Sequence, residues 1–176
     1  MRRVSVVGNS GSGKSWLARR LAERLGVPYL ELDAVYHQPG WVPLPDDELR
    51  AAVGRFTAGP GWVVDGNYSA VREDMVWPRA DTVVWLDLPR RVVFRQVVGR
   101  TLARATTRRE LWNGNRERWR NMLSLDPQRS IIMWSWTRHH RYRRRYQDAA
   151  RDPRWAHLRF VRLRSRRQVS EFLAGR

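Results

Sequence analysis

The chain has 176 residues, of which 42% are hydrophobic and ten are tryptophan, so a disordered protein is excluded and one domain over residues 1–176 is expected. With no cysteine, disulfides and thiolate metal sites are excluded as well. The net charge of +17 lies in the second half: residues 89–176 hold 24 basic and 6 acidic residues, whereas residues 1–88 hold 10 basic and 11 acidic ones. The basic half indicates anionic partners, namely nucleotide phosphates, nucleic acid or both.

The apolar runs of this sequence are short. None approaches the length of a membrane span, and only four residues separate Arg3 from Gly8, too few for the apolar part of a secretory signal. We therefore expect a cytoplasmic protein with no membrane partner.

The first predicted strand, Val4–Val7, runs directly into a glycine-rich segment that fits the pattern G-x-x-x-x-G-K-S/T. Apolar residues every four positions predict a helix after it. A strand, a glycine-rich turn and a helix in this order are typical of a P-loop, in which backbone N–H groups and the helix N-terminus bind phosphate oxygens. An ordinary glycine-rich turn is the alternative. The predicted nucleotide site consists of Gly8, Asn9, Ser10, Gly11, Ser12, Gly13, Lys14 and Ser15.

Two side chains of this segment have predicted chemical roles. Lys14 is the only lysine among 34 basic residues. Its compact ammonium fits a site at the β- and γ-phosphates where a planar guanidinium would not fit. The hydroxyl of Ser15 is predicted to ligate Mg²⁺. The expected ligands are therefore a nucleoside triphosphate and Mg²⁺.

Acidic residues follow the next two predicted strands, Tyr29–Leu32 and Trp62–Val64. Ligands of open α/β sheets bind beyond the carboxyl ends of the strands, so Asp33, with Glu31 as a second possibility, and Asp65 are candidate site residues, with Asp65 holding Mg²⁺ through water. The alternative for Asp33 is a turn aspartate bonded to its own backbone. His37 is interpreted as a wall residue of the site, and no histidine spacing predicts a structural metal.

Helices are predicted between these strands and after them. A helix that begins at Asp46 buries Leu49, Ala52, Val53 and Phe56. A short helix over Ser69–Met75 is expected to point Arg72 back toward the site, and the strand Thr82–Leu86 ends at Asp87.

A longer helix is predicted over residues 90–107, with Val93, Val97 and Leu102 in the core. On this helix and just beyond it, three arginines at intervals of four residues share one face, which favours phosphate binding, with a solvent-facing stripe as the alternative. These are Arg100, Arg104 and Arg108.

A basic segment of about residues 108–120 follows this helix. Asn113-Gly114 predicts a turn within it, and arginines resume at Arg116. We expect the segment to close over a triphosphate as a lid, because closure would exclude water and bring guanidinium groups onto the transition state.

The last third of the chain predicts two helices and a strand. A helix over Ile131–Tyr146 carries a row that we interpret as core packing, namely Trp134, Arg138, Tyr142 and Tyr146. Its other side, with Arg141 and residues 143–145, is either a solvated face or a nucleic-acid patch. The strand Leu158–Leu163 and a helix capped by Ser165 and Gln168 complete the prediction.

Taken together, these elements resemble the small P-loop kinases, such as adenylate kinase and shikimate kinase. The shared features are the strand, P-loop and helix, the acid after strand two, Asp65-Gly66 after strand three, the arginine-rich segment and the final strand and helix. Three strings are similar to a bacterial subgroup called adenylate-kinase-related or DNA topology modulation proteins. They are Leu30–Asp33, Trp62–Tyr68 and Arg109–Arg116.

The resemblance implies a three-layer α/β P-loop NTPase fold: a five-stranded parallel sheet in the order 2-3-1-4-5, helices on both faces and an arginine-rich lid. It implies ATP on the P-loop, with adenine near Arg164 to Arg166, and an acceptor between Asp33, Asp65 and Arg72. As a wall residue, His37 is expected to line the same acceptor site. Two departures stand out. Trp16 replaces the threonine that usually contacts the α-phosphate, and Asn67-Tyr68 replace the Phe-Pro-Arg of adenylate kinases, which argues against AMP as the acceptor.

Two functional hypotheses follow. The first is a kinase that moves the γ-phosphoryl group of Mg·ATP to a small acceptor, either a nucleotide or a hydroxyl metabolite. Asp33 would orient or deprotonate the acceptor, Ser15 and Asp65 would hold Mg²⁺, and charge would be stabilised by Lys14, Arg104, Arg108 and Arg116. The alternative is an ATP-dependent protein that binds DNA or RNA through residues 89–176.

Overall fold

Five parallel strands form one sheet in the order β2-β3-β1-β4-β5, which confirms the predicted topology. The computed structural model describes residues 1–107, 110–116, 126 and 130–175. The predicted strands are all present, each within two residues of its predicted ends. They are β1 (Arg3–Gly8), β2 (Tyr29–Glu31), β3 (Trp62–Asp65), β4 (Thr82–Leu86) and β5 (Arg159–Leu163).

Helices surround this sheet. They are α1 (Lys14–Leu25), α2 (Leu32–Tyr36), α3 (Asp46–Phe56), α4 (Ser69–Val71), α5 (Arg90–Thr107), α6 (Ile131–Ala149) and α7 (Arg166–Ala174). A π-helical turn, Arg72–Val76, and a 3₁₀ turn, Trp77–Arg79, continue α4 toward β4. Among the described residues, no helix is both long and apolar enough to cross a membrane.

Both faces of the sheet are covered, because the strand side chains alternate between two apolar cores. One core joins Val64 and Trp85 to Leu49 of α3 and Tyr146 of α6. The other joins strand residues such as Val4, Val63 and Leu86 to α1 and α7. A strand that is buried on both faces is apolar throughout, which explains the valine-rich strand sequences. The three-layer α/β architecture is thus confirmed.

The prediction for the buried face of α5 was wrong at one position. Val93 and Val97 are buried as predicted, but Leu102 is 43% exposed and Thr101 takes the buried place. Leu102 lies nine residues after Val93, which is about two and a half helical turns, so it emerges on the opposite side of the helix.

The carboxyl ends of β1, β2 and β3 meet at one edge of the sheet, and Gly66 allows the chain to leave β3 there. A Cβ at Gly66 would lie 2.7 Å from the Cβ of Leu32, and its φ of +148° is one that L side chains rarely adopt. This close approach places Asn67 and Tyr68 beside the start of α2.

Candidate active site at the carboxyl edge of the sheet

A cleft of about 1320 Å³ opens at this edge of the sheet. Pockets for one small ligand are usually roughly 300–1000 Å³, so this cleft is larger than a typical one-ligand pocket. The predicted site residues that line it are Ser10, Gly11, Gly13, Lys14, Ser15, Trp16, Asp33, His37, Arg100 and Arg104.

The glycine-rich loop has the geometry of a phosphate cradle. Gly13 has a φ of +90°, and a Cβ added there would meet no atom within 4 Å, so this part of the loop faces open space. At Gly8 and Gly11 the loop instead packs tightly. A Cβ at Gly8 would lie 2.9 Å from the carbonyl oxygen of Leu86, and a Cβ at Gly11 would lie 2.7 Å from the Cβ of Val97. The backbone is thus held from behind and open in front, as phosphate binding requires.

Three residues of the loop, Gly8, Asn9 and Ser12, face the protein interior and not the cleft. The side chain of Asn9 is buried and donates hydrogen bonds to the carbonyl oxygen of Ser135 (2.7 Å) and to its Oγ (3.1 Å). Ser135 in turn donates from Oγ to the carbonyl oxygen of Ser10 at 2.8 Å. Gly8 is bonded to the side-chain amide of Asn67, and the Ser12 hydroxyl is buried without a hydrogen-bond partner among the described residues.

The ammonium of Lys14 lies between two carboxylates. Its Nζ is 3.9 Å from Oδ1 of Asp65 and 4.0 Å from Oδ2 of Asp33. Burial acts to lower the pKa of Lys14, but the negative charges of Asp65 and Asp33 outweigh it, and the pKa lies above its usual value. Lys14 is therefore charged at every physiological pH.

Asp65 combines burial with an unsatisfied oxygen. Its side chain is 1% exposed, Tyr29 donates to Oδ2 at 3.4 Å, and Oδ1 has no hydrogen-bond partner among the described residues. Burial raises the pKa of Asp65 to about 6, against the opposing charge of Lys14. A buried carboxylate oxygen without a donor fits a cation or the water that a cation carries.

The residues present fit Mg²⁺ held together with nucleotide phosphates. In proteins this ion usually binds one or two carboxylates plus substrate phosphates and water, and seldom an all-protein cage. Ser15 and Asp65 supply such a partial set. In the described part of the chain, no group of three or more histidine, aspartate or glutamate residues forms a cage of its own.

Asp33 lies in the first turn of α2, with its two oxygens in different surroundings. Oδ1 accepts a 2.8 Å hydrogen bond from the hydroxyl of Tyr68, and Oδ2 is on the side of Lys14. The Tyr68 hydroxyl also lies 3.4 Å from Nε2 of His37. Burial lowers the pKa of His37, with Asp33 opposing, so the imidazole is neutral near pH 7. His37 is a wall residue, as expected.

Sequence comparison finds kinases. No family model matches the chain. The shikimate kinase of Persephonella marina is 32% identical over 114 residues, which are 56% of this chain and 69% of that protein. The shikimate kinase of Nitrobacter winogradskyi is 28% identical over 110 residues, 54% of this chain and 51% of that protein. A cytidylate kinase of Nitratidesulfovibrio vulgaris is 44% identical over 43 residues, 24% of this chain and 18% of that protein.

The chain belongs to the P-loop kinase superfamily. Its relatives support an ATP-dependent phosphotransferase that acts on a small molecule. They give no support to nucleic-acid binding. The narrower resemblance to DNA topology modulation proteins stays a prediction.

Solved structures agree with the kinase fold. A shikimate kinase from Acinetobacter baumannii in complex with shikimate has a TM-score of 0.60 at 14% identity, covering 99% of this chain and 90% of that chain. A shikimate kinase from Bacteroides thetaiotaomicron has a TM-score of 0.53 at 14% identity, covering 99% and 95%. At this identity the likeness is one of fold alone.

Arg72 of the kinase does not lie on the cleft wall, contrary to the sequence-based expectation. It is 1% exposed, and its Nη1 donates to the carbonyl oxygen of Asn67 (3.0 Å) and to the hydroxyl of Tyr146 (3.1 Å). Its guanidinium also lies 5.0 Å from the ring centroid of Trp77. The π-helical turn that begins at Arg72 directs this side chain into the core, where it supports the loop after β3.

The predicted core packing of the row on α6 is wrong for Trp134 and Arg138, which line the cleft, whereas Tyr142 lines the cleft and also packs against the core. Only Tyr146 is buried in the core. The rest of this face lines the cleft. Arg141 and Arg145, which were expected on the other side of the helix, line the cleft as well, because they lie three residues after Arg138 and Tyr142. We call these residues the α6 stripe, and it comprises Trp134, Arg138, Arg141, Tyr142 and Arg145.

The described part of the predicted lid is fastened to the acceptor side of the kinase. Asn115 is 3% exposed, its Oδ1 accepts from the backbone N–H of Trp41 (2.8 Å), and its Nδ2 donates to the carbonyl oxygen of Gln38 (2.9 Å). Asn113 adopts a φ of 55° and donates to the carbonyl oxygen of His37 at 2.7 Å. Residues 110–116 are therefore anchored beside α2, and Glu110, Leu111 and Trp112 of this segment line the cleft.

Of the remaining predicted site residues, two do not line the cleft and one lies outside the described residues. Arg116 is exposed and does not line the cleft, although its carbonyl oxygen accepts from Nε1 of Trp41 at 3.3 Å. Arg164 borders a separate hollow of about 380 Å³, and its contact with adenine stays a prediction. Arg108 and residues 117–120 lie outside the described residues.

Part of the basic excess is used inside the molecule. Asp87 pairs with both Arg162 and Arg143, and the Arg90 guanidinium lies 3.5 Å from the ring centroid of Trp136. These arginines stabilise the fold and are less available to external anions than the net charge implies.

Proposed function

We propose that this kinase transfers the γ-phosphoryl group of Mg·ATP to an oxygen atom of a small acceptor bound beside Asp33. The observation that carries the proposal is the position of Lys14, whose Nζ lies within 4.0 Å of carboxylates of both Asp33 and Asp65. One residue of the phosphate loop is thereby next to the candidate metal-binding acid and the candidate acceptor acid.

The chemistry requires one new bond and one broken bond. The acceptor oxygen bonds to the γ-phosphorus, the bond from that phosphorus to the bridging oxygen of ADP breaks, and a proton leaves an acceptor hydroxyl. Bound Mg²⁺ would neutralise phosphate charge, with Ser15 and Asp65 holding it. Lys14 stabilises the charge on the transferring group. Asp33 orients the acceptor and takes its proton at Oδ2, because Tyr68 holds Oδ1.

The test is a coupled assay of ADP formation with a panel of nucleoside monophosphates and hydroxylated small acids. We expect at least one acceptor to raise turnover far above basal ATP hydrolysis, and Lys14→Ala to reduce the acceptor-dependent rate by about a thousandfold or more. Lys14→Arg should be similarly inactive, because a guanidinium does not fit the same space. Turnover equal to that of Lys14→Ala with every acceptor would refute the proposal.

A further inference from the structure

Five aromatic side chains line the cleft on the Asp33 side. We call them the ring wall, and they are Tyr36, His37, Trp41, Tyr68 and Trp112. Their ring centroids form a continuous series, with 4.6 Å between Tyr36 and Tyr68, 5.1 Å between Tyr36 and His37 and 5.2 Å between His37 and Trp41. Trp112 stacks on His37 at 5.8 Å with an interplanar angle of 22°.

Tyr36 and Tyr68 pack against the core from the ring wall, but the ring wall itself is not enclosed in the core. None of its five members is buried, and each contributes to the wall of the cleft. A contiguous, half-exposed aromatic surface inside a cleft is typical of a ligand site. Such surfaces favour flat rings, because offset and edge-to-face arrangements of aromatic groups are attractive beyond the area that they bury.

The backbone of Trp41 supports the same conclusion. Trp41 has a φ of 64°, a region that bulky L residues rarely occupy. The hydrogen bond from its N–H to Asn115 holds it there, and its ring packs at 5.2 Å from His37. Backbone strain of this kind persists where the surrounding structure enforces it and often occurs at ligand sites.

The ring wall belongs to the acceptor end of the cleft. Tyr68 bonds directly to Asp33, the candidate acceptor residue. The phosphate loop, in contrast, packs on α5, where a Cβ at Gly11 would lie 2.7 Å from the Cβ of Val97 and where Arg100 donates to the Ser10 hydroxyl at 3.4 Å. A nucleotide on the loop and a ring on the wall would thus occupy different parts of the cleft.

The α6 stripe adds positive charge to this end. Tyr142 packs against the same apolar cluster as Tyr36 and Tyr68, and Arg141 is one residue before it on the same helix. Arg145 is paired with Glu73 at 2.6 Å, and the Arg138 guanidinium lies 4.6 Å from the ring centroid of Trp134. Arg141 has no ion-pair partner among the described residues, so its charge is available to an anion in the cleft.

We infer that the acceptor of this kinase combines a flat aromatic ring, held against the ring wall, with an anionic group that faces Arg141. This inference rests on the proposed phosphoryl transfer and narrows its substrate class. Two sources of that chemistry are a nucleoside monophosphate and a hydroxylated aromatic carboxylate.

Calorimetry on the Mg·ADP-saturated kinase separates the ring from the anion without turnover. Cytidine 5′-monophosphate has both, cytidine has the ring alone, and ribose 5-phosphate has the anion alone. Gallate and shikimate form a second comparison, since both carry one carboxylate and three hydroxyls but only gallate has an aromatic ring. We expect either cytidine 5′-monophosphate or gallate to bind about tenfold more tightly than its ring-free partner, and the pair that shows the difference identifies the source.

Two variants test the assigned surfaces. Trp112→Leu should weaken binding of the preferred ring-bearing probe about tenfold and leave its ring-free partner unchanged. Arg141→Gln should weaken the anionic probes about tenfold, whereas Arg144→Gln, which removes the same charge from the exposed side of the same helix, should have no effect.

Equal affinities within each ligand pair, or equal effects of Arg141→Gln and Arg144→Gln, would overturn the inference. The proposed phosphoryl transfer would be untouched by that result, because Lys14-dependent ADP formation with the wider panel decides it separately.

Discussion

The hydroxyl of Tyr68 donates a 2.8 Å hydrogen bond to Oδ1 of Asp33. This bond leaves Oδ2, on the side of Lys14, as the oxygen that can meet an acceptor. Burial, followed by the charge of Asp33, raises the pKa of Tyr68, so the phenol remains protonated and remains a donor. We regard Tyr68 as a positioning residue for Asp33.

Tyr68→Phe should therefore lower kcat by about tenfold, the equivalent of losing one hydrogen bond to a charged group. The KM for ATP should not change, because Tyr68 does not touch the phosphate loop. Steady-state kinetics with the best acceptor tests this, with thermal unfolding to verify the fold. A change in the KM for ATP with kcat intact would contradict the positioning role.

The buried carboxyl of Asp65 predicts a pH dependence of stability. Its pKa is about 6 in the folded protein against an ordinary value of 3.8. Between pH 3.8 and pH 6 the unfolded chain has already lost the proton of Asp65, whereas the folded protein still holds it. The contribution of Asp65 to the free energy of unfolding is therefore present at low pH and is lost as the pH rises through 6. The full loss is about 3 kcal/mol.

Asp65→Asn cannot titrate and provides the reference. In urea unfolding at pH 4, 5, 6 and 7, the wild-type free energy of unfolding should fall relative to that of Asp65→Asn and then become constant above about pH 7. A difference that is independent of pH, or one that grows in favour of the wild type, would contradict the raised pKa.

Ser135 joins the phosphate loop to α6, because Oγ of Ser135 donates to the carbonyl oxygen of Ser10 and accepts from Asn9. Ser135→Ala should raise the KM for ATP several-fold and lower the free energy of unfolding by about 1–3 kcal/mol, since buried groups lose their partners. Thr137→Ala is the matched control, because that hydroxyl bonds only within its own helix. Equal effects of the two substitutions would argue against the link.

Asn115 fastens residues 110–116 to the segment that carries Trp41 and Gln38. Asn115→Ala should raise the acceptor KM about tenfold with little change in the KM for ATP, because it frees the Trp41 side of the ring wall. Asn115→Asp keeps the oxygen that accepts from Trp41 and should recover part of the loss. An acceptor KM that is unchanged in Asn115→Ala would show that this anchor has no part in acceptor binding.

The features that could be predicted from the sequence are those formed by residues close together in the chain. The phosphate loop is local, because its function needs only consecutive backbone groups and one ammonium. Asp33 and Asp65 were also predictable, since parallel strands end at the same edge of the sheet. The row on α6 was not, because helical periodicity shows that Trp134 and Tyr142 share a face but not whether that face meets the core or a cleft.

Long-range partners account for the remaining differences. Arg72 is held in the core by Tyr146, which lies 74 residues further along the chain. Tyr68 ends the string Trp62–Tyr68, but nothing in that string indicates its hydrogen bond to Asp33, 35 residues away. The strained Trp41 likewise depends on Asn115, at a separation of 74 residues.

The solitary lysine of this chain is 9% exposed and enclosed by two acids. Reagents that acylate primary amines consequently have one lysine side chain to modify. Because Lys14 lines the cleft and its raised pKa keeps it protonated, they should modify it slowly, at alkaline pH and with the cleft empty. Acylation at this position, followed by mass spectrometry, is thus a direct measure of whether the phosphate loop is filled, and Mg·ATP should protect it.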